Sequence, residues 1–157
     1  MLDVGCGNGH TLAFFKSQWP ETEYTGCDIS DVALELAKRR VPEADFSLEL
    51  PLGFWDAITI LGVAEHFEDP EKELHRIGTR LKPDGYLYLE APNCLAYSVD
   101  QSEGFRQTNG GSGQKEWHWK RETWEQVIKE ADFEIVRKLA GSTPFWGFIW
   151  VLKLAEE

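Results

Sequence analysis

The stretch "MLDVGCGNGH", residues 1–10, decides how the chain is read: an apolar run, Leu2 to Val4, leads directly into three glycines separated by single residues. A glycine-rich turn between a strand and a helix lets backbone approach a ligand where any Cβ would collide. The helix behind it offers free N–H groups and its positive dipole end. That helix is expected over His10 to Gln18, with Leu12, Phe14, Phe15 and Trp19 at helical spacing and Pro20 as its stop.

The alternation continues outward from there. Glu23 to Cys27 reads as a second strand, and Ser30 caps a helix over Asp31 to Arg40. A third strand is expected around Phe46 to Leu48. "DAITILG" is a continuous apolar run of the kind buried on both faces of a parallel sheet. Asp69 and Pro70 are an N-cap and a first-turn proline, ahead of a buried stripe of Leu74, Ile77 and Leu81. "KPDG" is turn chemistry and "YLYLEAP" the next strand. Strands alternating with helices predict a doubly wound, mostly parallel α/β sheet in a single domain over residues 1–157. The composition changes after Asn93: residues 100–115, with "TNGGSG", are polar and glycine-rich and are expected to form a mobile loop. A helix near Glu122 to Ala131, the strand "FEIVRKL" and a last strand within "FWGFIWVLKL" follow, the strands forming an antiparallel hairpin at the sheet edge. The late tryptophans, Trp117, Trp119, Trp124, Trp146 and Trp150, are expected in core and edge packing.

Composition narrows the function classes. The 157 residues are 42% hydrophobic and 27% charged, ordinary for one globular domain. No apolar run approaches the roughly 18 residues of a membrane span. The net charge of −11 repels phosphate backbones and argues against a nucleic-acid partner. Cys6, Cys27 and Cys94 show no CxxC spacing, so neither a disulfide framework nor a metal site is expected, and a reducing cytoplasm is the expected compartment.

The glycine spacing, Gly5, Gly7 and Gly9, is G-x-G-x-G rather than the dinucleotide pattern G-x-G-x-x-G, and His10 stands where that pattern places its last glycine. Asp28 closes the second strand about 20 residues further on, where a carboxylate can accept both ribose hydroxyl hydrogens.

These residues resemble the class I S-adenosylmethionine-dependent methyltransferases, which have a Rossmann-like fold. "LDVGCGNG" resembles their first motif and "YTGCDIS" their second. "FWDAITILGVAEHFEDPEKELHRIGTRLKPDGYLYLEAPN" is similar to their fourth strand, following helix and fifth strand. The "EH" and "PN" pairs and the tail "HWKRETWEQVIKEADFEIV" resemble the small-molecule branch. The resemblance implies S-adenosylmethionine as cofactor, with S-adenosylhomocysteine as product. It implies that Gly5, Gly7 and Gly9 pass close to the methionine portion and that Asp3 orients its ammonium group. Asp28 would hold the ribose with Ile29 against the adenine, and Leu61 and Gly62 would line the methionine side. The family's usual Asp or Asn after strand three is missing from its place, and Glu49, then Asp45, is the nearest candidate for the adenine amino group.

Methyl transfer from a sulfonium is an in-line displacement in which the protein chiefly supplies alignment and desolvation. An oxygen nucleophile also loses a proton, for which histidine is suited near neutral pH. His66, after strand four, is the first candidate base and His118 the second. The expected activity is methyl transfer to a small molecule, at oxygen. The alternatives are a nicotinamide-dependent oxidoreductase and a non-catalytic module of the same fold acting as a partner subunit. The family usually has helices before its first strand, so the first strand here is expected to be stunted. Apolar sheet surface and one wall of the cleft are expected to lie open, or to be covered by a second copy or a partner, and the chain alone is expected to bind cofactor weakly.

Overall fold

A computed structural model describes residues 1–93, 103–107, 115–140 and 147–156. Seven strands form one sheet in the order β3-β2-β1-β4-β5-β9-β8. They are β1 (Leu2–Val4), β2 (Thr25–Cys27), β3 (Asp45–Ser47), β4 (Trp55–Leu61), β5 (Leu81–Ala91), β8 (Phe133–Ala140) and β9 (Phe148–Leu154). A separate ribbon pairs β6 (Gly104–Gln107) with β7 (Lys115–His118). The helices are α1 (His10–Gln18), α2 (Asp31–Arg40), α3 (Pro70–Gly78) and α4 (Arg121–Glu130), with a 3-10 turn at Ala64–His66.

The first five strands run parallel, and β9 is antiparallel to both β5 and β8. The expected C-terminal hairpin thus closes the sheet edge, with its antiparallel strand β9 inside and β8 outermost. β1 is three residues long, yet it pairs on both sides, Leu2 standing opposite Thr25 and Ile58. The chain's winding reverses between β2 and β4, on either side of β1. A doubly wound sheet opens a crevice at the carboxyl ends of its strands there.

Strand alternation sorts side chains into two cores. Leu2, Ile58, Ile60, Leu87, Leu89, Trp150 and Leu152 pack with Leu74, Ile77, Trp124 and Ile128 from α3 and α4. On the opposite face, Leu12 and Leu34 from α1 and α2 pack with Cys6, Tyr24 and Val41. Among the described residues, no helix covers the rest of that face. Ala57, Thr59, Leu61, Tyr88 and Ile149, flanked by Met1, Phe15, Trp19 and Tyr24, line a largely apolar groove of about 370 Å³.

Three expectations change. "KPDG" lies inside β5 rather than in a turn: Trp55 pairs with Leu81 but Ala57 with Tyr86, so β5 bulges past a shorter stretch of β4. Leu81 accordingly belongs to β5 and not to the stripe of α3. Within the expected loop at 100–115, residues Gly104–Gln107 form a strand; 100–102 and 108–114 lie outside the described residues, as do Cys94 and Trp146.

Candidate functional site

The glycine turn takes its shape from left-handed backbone. Gly5, Gly7 and Gly9 have φ of 71°, 52° and 78°, which side chains beyond glycine rarely adopt. The three differ in what surrounds them. A Cβ on Gly5 would stand 2.3 Å from a methyl of Val63, and one on Gly9 would press on Ala37 of α2 at 3.0 Å. Around Gly7 nothing lies within 4 Å. Gly9 therefore serves helix–helix packing, while Gly5 lets the turn sit against the segment after β4.

Asp28, one residue beyond β2, ties the turn in place. One carboxylate oxygen accepts from the Gly7 N–H at 2.8 Å and the other from the Ser30 N–H at 2.9 Å. Ser30 in turn caps α2 by accepting from the Ala33 N–H. Asp3, under the turn, is 3% exposed and accepts from the Thr59 hydroxyl at 2.7 Å. Burial raises its pKa to about 6, against the lowering effect of that hydrogen bond.

A crevice of about 720 Å³ gathers Gly5, Asp28, Ile29, Glu49, Gly62 and His66, with Val63, Phe67, Glu73 and Arg76. Its size suits a small organic ligand. The candidates Gly5, Asp28, Ile29, Glu49, Gly62 and His66 are thus brought together from four strand ends. Ile29 is 95% exposed beside Asp28, an apolar surface ready to take a flat ring. Asp3, Gly7, Gly9 and His118 lie off this wall, and Leu61 faces the apolar groove on the other side of the sheet. Glu73 and Arg76 of α3 line the crevice and were not anticipated; the acidic run around Glu73 reads locally as an ordinary helix start.

The residues fit an adenosyl ligand: a carboxylate on the crevice wall with acceptor capacity left beyond its two backbone bonds, an exposed apolar side chain and a turn that approaches without side chains. Nothing in the set favours a metal, and no cluster of three metal-ligating side chains occurs among the described residues.

The β6–β7 ribbon packs on the 3-10 turn after β4. His66 Nδ1 lies 3.0 Å from the Lys115 carbonyl. A carbonyl only accepts, so in the neutral ring Nδ1 carries the proton and Nε2 is the free base. The Trp117 indole N–H donates to the Phe67 carbonyl at 2.9 Å. His118 Nε2 stands 3.0 Å from a Glu116 oxygen, outside the geometry of a directed hydrogen bond. Glu65, which by sequence could pair with His66 or with a substrate hydroxyl or stand as a surface carboxylate, is 6% exposed.

Fold and crevice together define a cofactor-binding domain of the doubly wound class. The chain belongs to the family described as Methyltransferase domain, whose pattern matches residues 1–138. It is 32% identical over 100 residues to a trans-aconitate 2-methyltransferase of Methylobacterium radiotolerans, covering 60% of this chain and 38% of that protein. It is 31% identical over 108 residues to a ubiquinone biosynthesis O-methyltransferase of Chromobacterium violaceum, covering 59% of this chain and 44% of that protein. The matched part therefore spans less than half of these curated relatives. In fold it is similar to an S-adenosylmethionine-dependent methyltransferase of Mesorhizobium loti, with a TM-score of 0.82 at 16% identity over 97% of this chain and 89% of the other. It is likewise similar to a Burkholderia thailandensis 1,6-didemethyltoxoflavin-N1-methyltransferase with bound S-adenosylhomocysteine, with a TM-score of 0.76 at 17% identity over 99% and 70% of the two chains. No described helix is long and apolar enough to cross a membrane.

Proposed function

We propose that the chain binds S-adenosylmethionine in the crevice and methylates a small-molecule acceptor at oxygen. The observation that carries this reading is the convergence of Gly5, Asp28, Ile29, Glu49 and Gly62 on one crevice from the ends of four neighbouring strands. Asp28 would hold the ribose, Ile29 would cover the adenine and Glu49 would meet its amino group. The turn through Gly5, Gly7 and Gly9, with Gly62, would border the methionine portion, and Asp3 would steady that end from beneath. When bound, the cofactor supplies a sulfonium-activated methyl group.

His66, with Nε2 free, would take the acceptor's proton, and His118 would serve the same end of the crevice from β7. The O-methyltransferase among the relatives supports oxygen as the receiving atom. The open apolar groove supports an assembly in which a second copy or a partner covers that face.

Isothermal titration with S-adenosylhomocysteine and with NADH tests the reading. Heat with the first alone is the expected result. Heat with NADH alone would restore the oxidoreductase alternative, and silence with both would favour a non-catalytic module.

A further inference from the structure

Two charged residues of α3, Glu73 and Arg76, line the crevice, and the proposed cofactor contacts leave both unused. Parallel strands are ordinarily joined by a crossover of about a dozen residues or more, usually with a helix laid on the sheet. Between β3 and β4 only residues 48–54 intervene, and none is helical. No helix of that connection stands beside α3, and the crevice extends to it. Leu48 and Leu50 line the same space, with Val4 and Cys27 from the ends of β1 and β2.

The Arg76 guanidinium is braced on one side. Its Nε donates to Glu73 Oε2 at 2.9 Å, and its Nη2 lies 2.7 Å from the same oxygen. Among the described residues, Nη1 meets no acceptor. A guanidinium carries five N–H donors in a flat fork, so the edge formed by Nη1 and the outer N–H of Nη2 is left for a ligand. The side chain is 53% exposed, open to a solute in the crevice. Its charge also acts inward: the Cys27 thiol is pushed up to about 11, by burial first, and Arg76 pulls the other way. Arg76 is the one Lys or Arg lining the crevice, whose other formal charges are Asp28, Glu49 and Glu73. An anionic group that enters meets an opposite charge at Arg76 and like charge elsewhere, which costs binding energy.

We propose that Arg76 is the specificity-determining residue of the acceptor site, its free edge taking a carboxylate of the acceptor in two parallel hydrogen bonds. The proposal rests on the methyltransferase reading. It deepens that reading by naming a substrate class: small hydroxy acids, with the hydroxyl toward His66 and the carboxylate toward α3. The cofactor's methionine portion also carries a carboxylate, but that portion is assigned to the glycine turn and Gly62, and the test separates the two sources.

Salicylate, mandelate and lactate, each beside its primary amide, are the probes. Saturation-transfer NMR follows their binding at millimolar concentration and low ionic strength, with S-adenosylhomocysteine present. The acids are expected to bind. The amides keep the hydroxyl but lose the charge, and should bind about tenfold more weakly, the lower end for a charged hydrogen bond because the site is half-exposed. Arg76→Ala should bring the acids down to the level of the amides. Arg76→Lys, which keeps the charge without the fork, should recover only part of the difference. Acids and amides binding alike, acid affinity unchanged in Arg76→Ala, or no acid binding at all would each overturn the proposal. Titration of S-adenosylhomocysteine alone should show wild type and both variants within about threefold of one another. Loss of that binding in Arg76→Ala would give Arg76 to the cofactor's carboxylate and overturn the acceptor assignment. A wild type that does not bind it overturns the underlying reading, and this proposal with it.

Discussion

Asp28 does two jobs with one carboxylate. Its oxygens hold the Gly7 and Ser30 N–H groups, and in the proposed complex they also accept from the ribose. Charge-assisted hydrogen bonds are worth about 1.5–3 kcal/mol each, so Asp28→Ala should weaken S-adenosylhomocysteine binding by about a hundredfold. Asp28→Asn, which keeps an acceptor for one backbone N–H, should fall between. An unchanged dissociation constant by calorimetry would remove the ribose assignment. Glu65 and Asp3 govern a second measurement, the pH dependence of stability. Their pKa values are raised to about 7 and about 6, both chiefly by burial, while unfolded carboxyls titrate near about 4. The folded protein therefore keeps protons that the unfolded chain has already released. The stability these groups contribute is complete below the unfolded value and is lost as pH rises through about 7. Urea unfolding at about pH 5 and about pH 8 should show wild type weaker at the higher pH by on the order of 2–3 kcal/mol from Glu65. Glu65→Gln should remove most of that difference, and an equal slope in the variant would count against the burial argument.

Among the elements, the β6–β7 ribbon has the least backing of its own. A lone two-stranded ribbon is marginal in water, so its order must come from anchoring. Phe105, Trp117, Trp119 and Trp124 form a ring ladder with centroid spacings of 4.8, 4.5 and 4.8 Å that leads into the core. The Trp117 indole also fixes the chain just past the 3-10 turn. Trp117→Ala should free the amides of 104–107 and 115–118 to exchange near their unprotected rates while the seven-stranded sheet stays protected. Protection surviving in the ribbon would show that other contacts hold it. The turn after β1 is constrained differently. Gly5→Ala would have to push Val63 aside and adopt φ of 71°, so a loss of about 2–3 kcal/mol is expected in thermal unfolding. Gly7→Ala, with open space around it, should lose only about 1 kcal/mol.

Across the molecule, the sheet is covered unevenly. Among the described residues, α3 and α4 pack on one face, whereas α1 and α2 leave the apolar groove beside β4, β5 and β9 uncovered. Contiguous exposed apolar surface of this kind marks an interaction site or a liability. The isolated chain should bind an apolar dye such as anilinonaphthalene sulfonate while keeping its near-UV circular dichroism. Tyr88→Lys, at a position already 37% exposed, should reduce that signal without a large change in stability. Dye binding unchanged in the variant would place the exposed surface elsewhere.

The parts of this protein legible from sequence are those whose causes lie within a few residues. Helical spacing marked α1 and α2 to the residue, Ser30 and Asp69 signalled the caps of α2 and α3, and the glycine turn with Asp28 pointed to the crevice. "KPDG" misled because its local turn preference was overruled by pairing with β4, which absorbed the extra residues as a bulge. The ribbon was hidden because glycine and serine content says nothing of a tryptophan anchor reaching a carbonyl 50 residues away. Likewise Glu65 and His118, candidates by residue type and place in the chain, acquire their burial and their acidic neighbours only when β7 packs on the turn after β4. Local periodicity and turn chemistry determined most of the elements and the glycine-turn wall of the crevice. Non-local packing decided how β7 meets the turn after β4, because burial and electrostatic coupling depend on distances in space that sequence separation does not set.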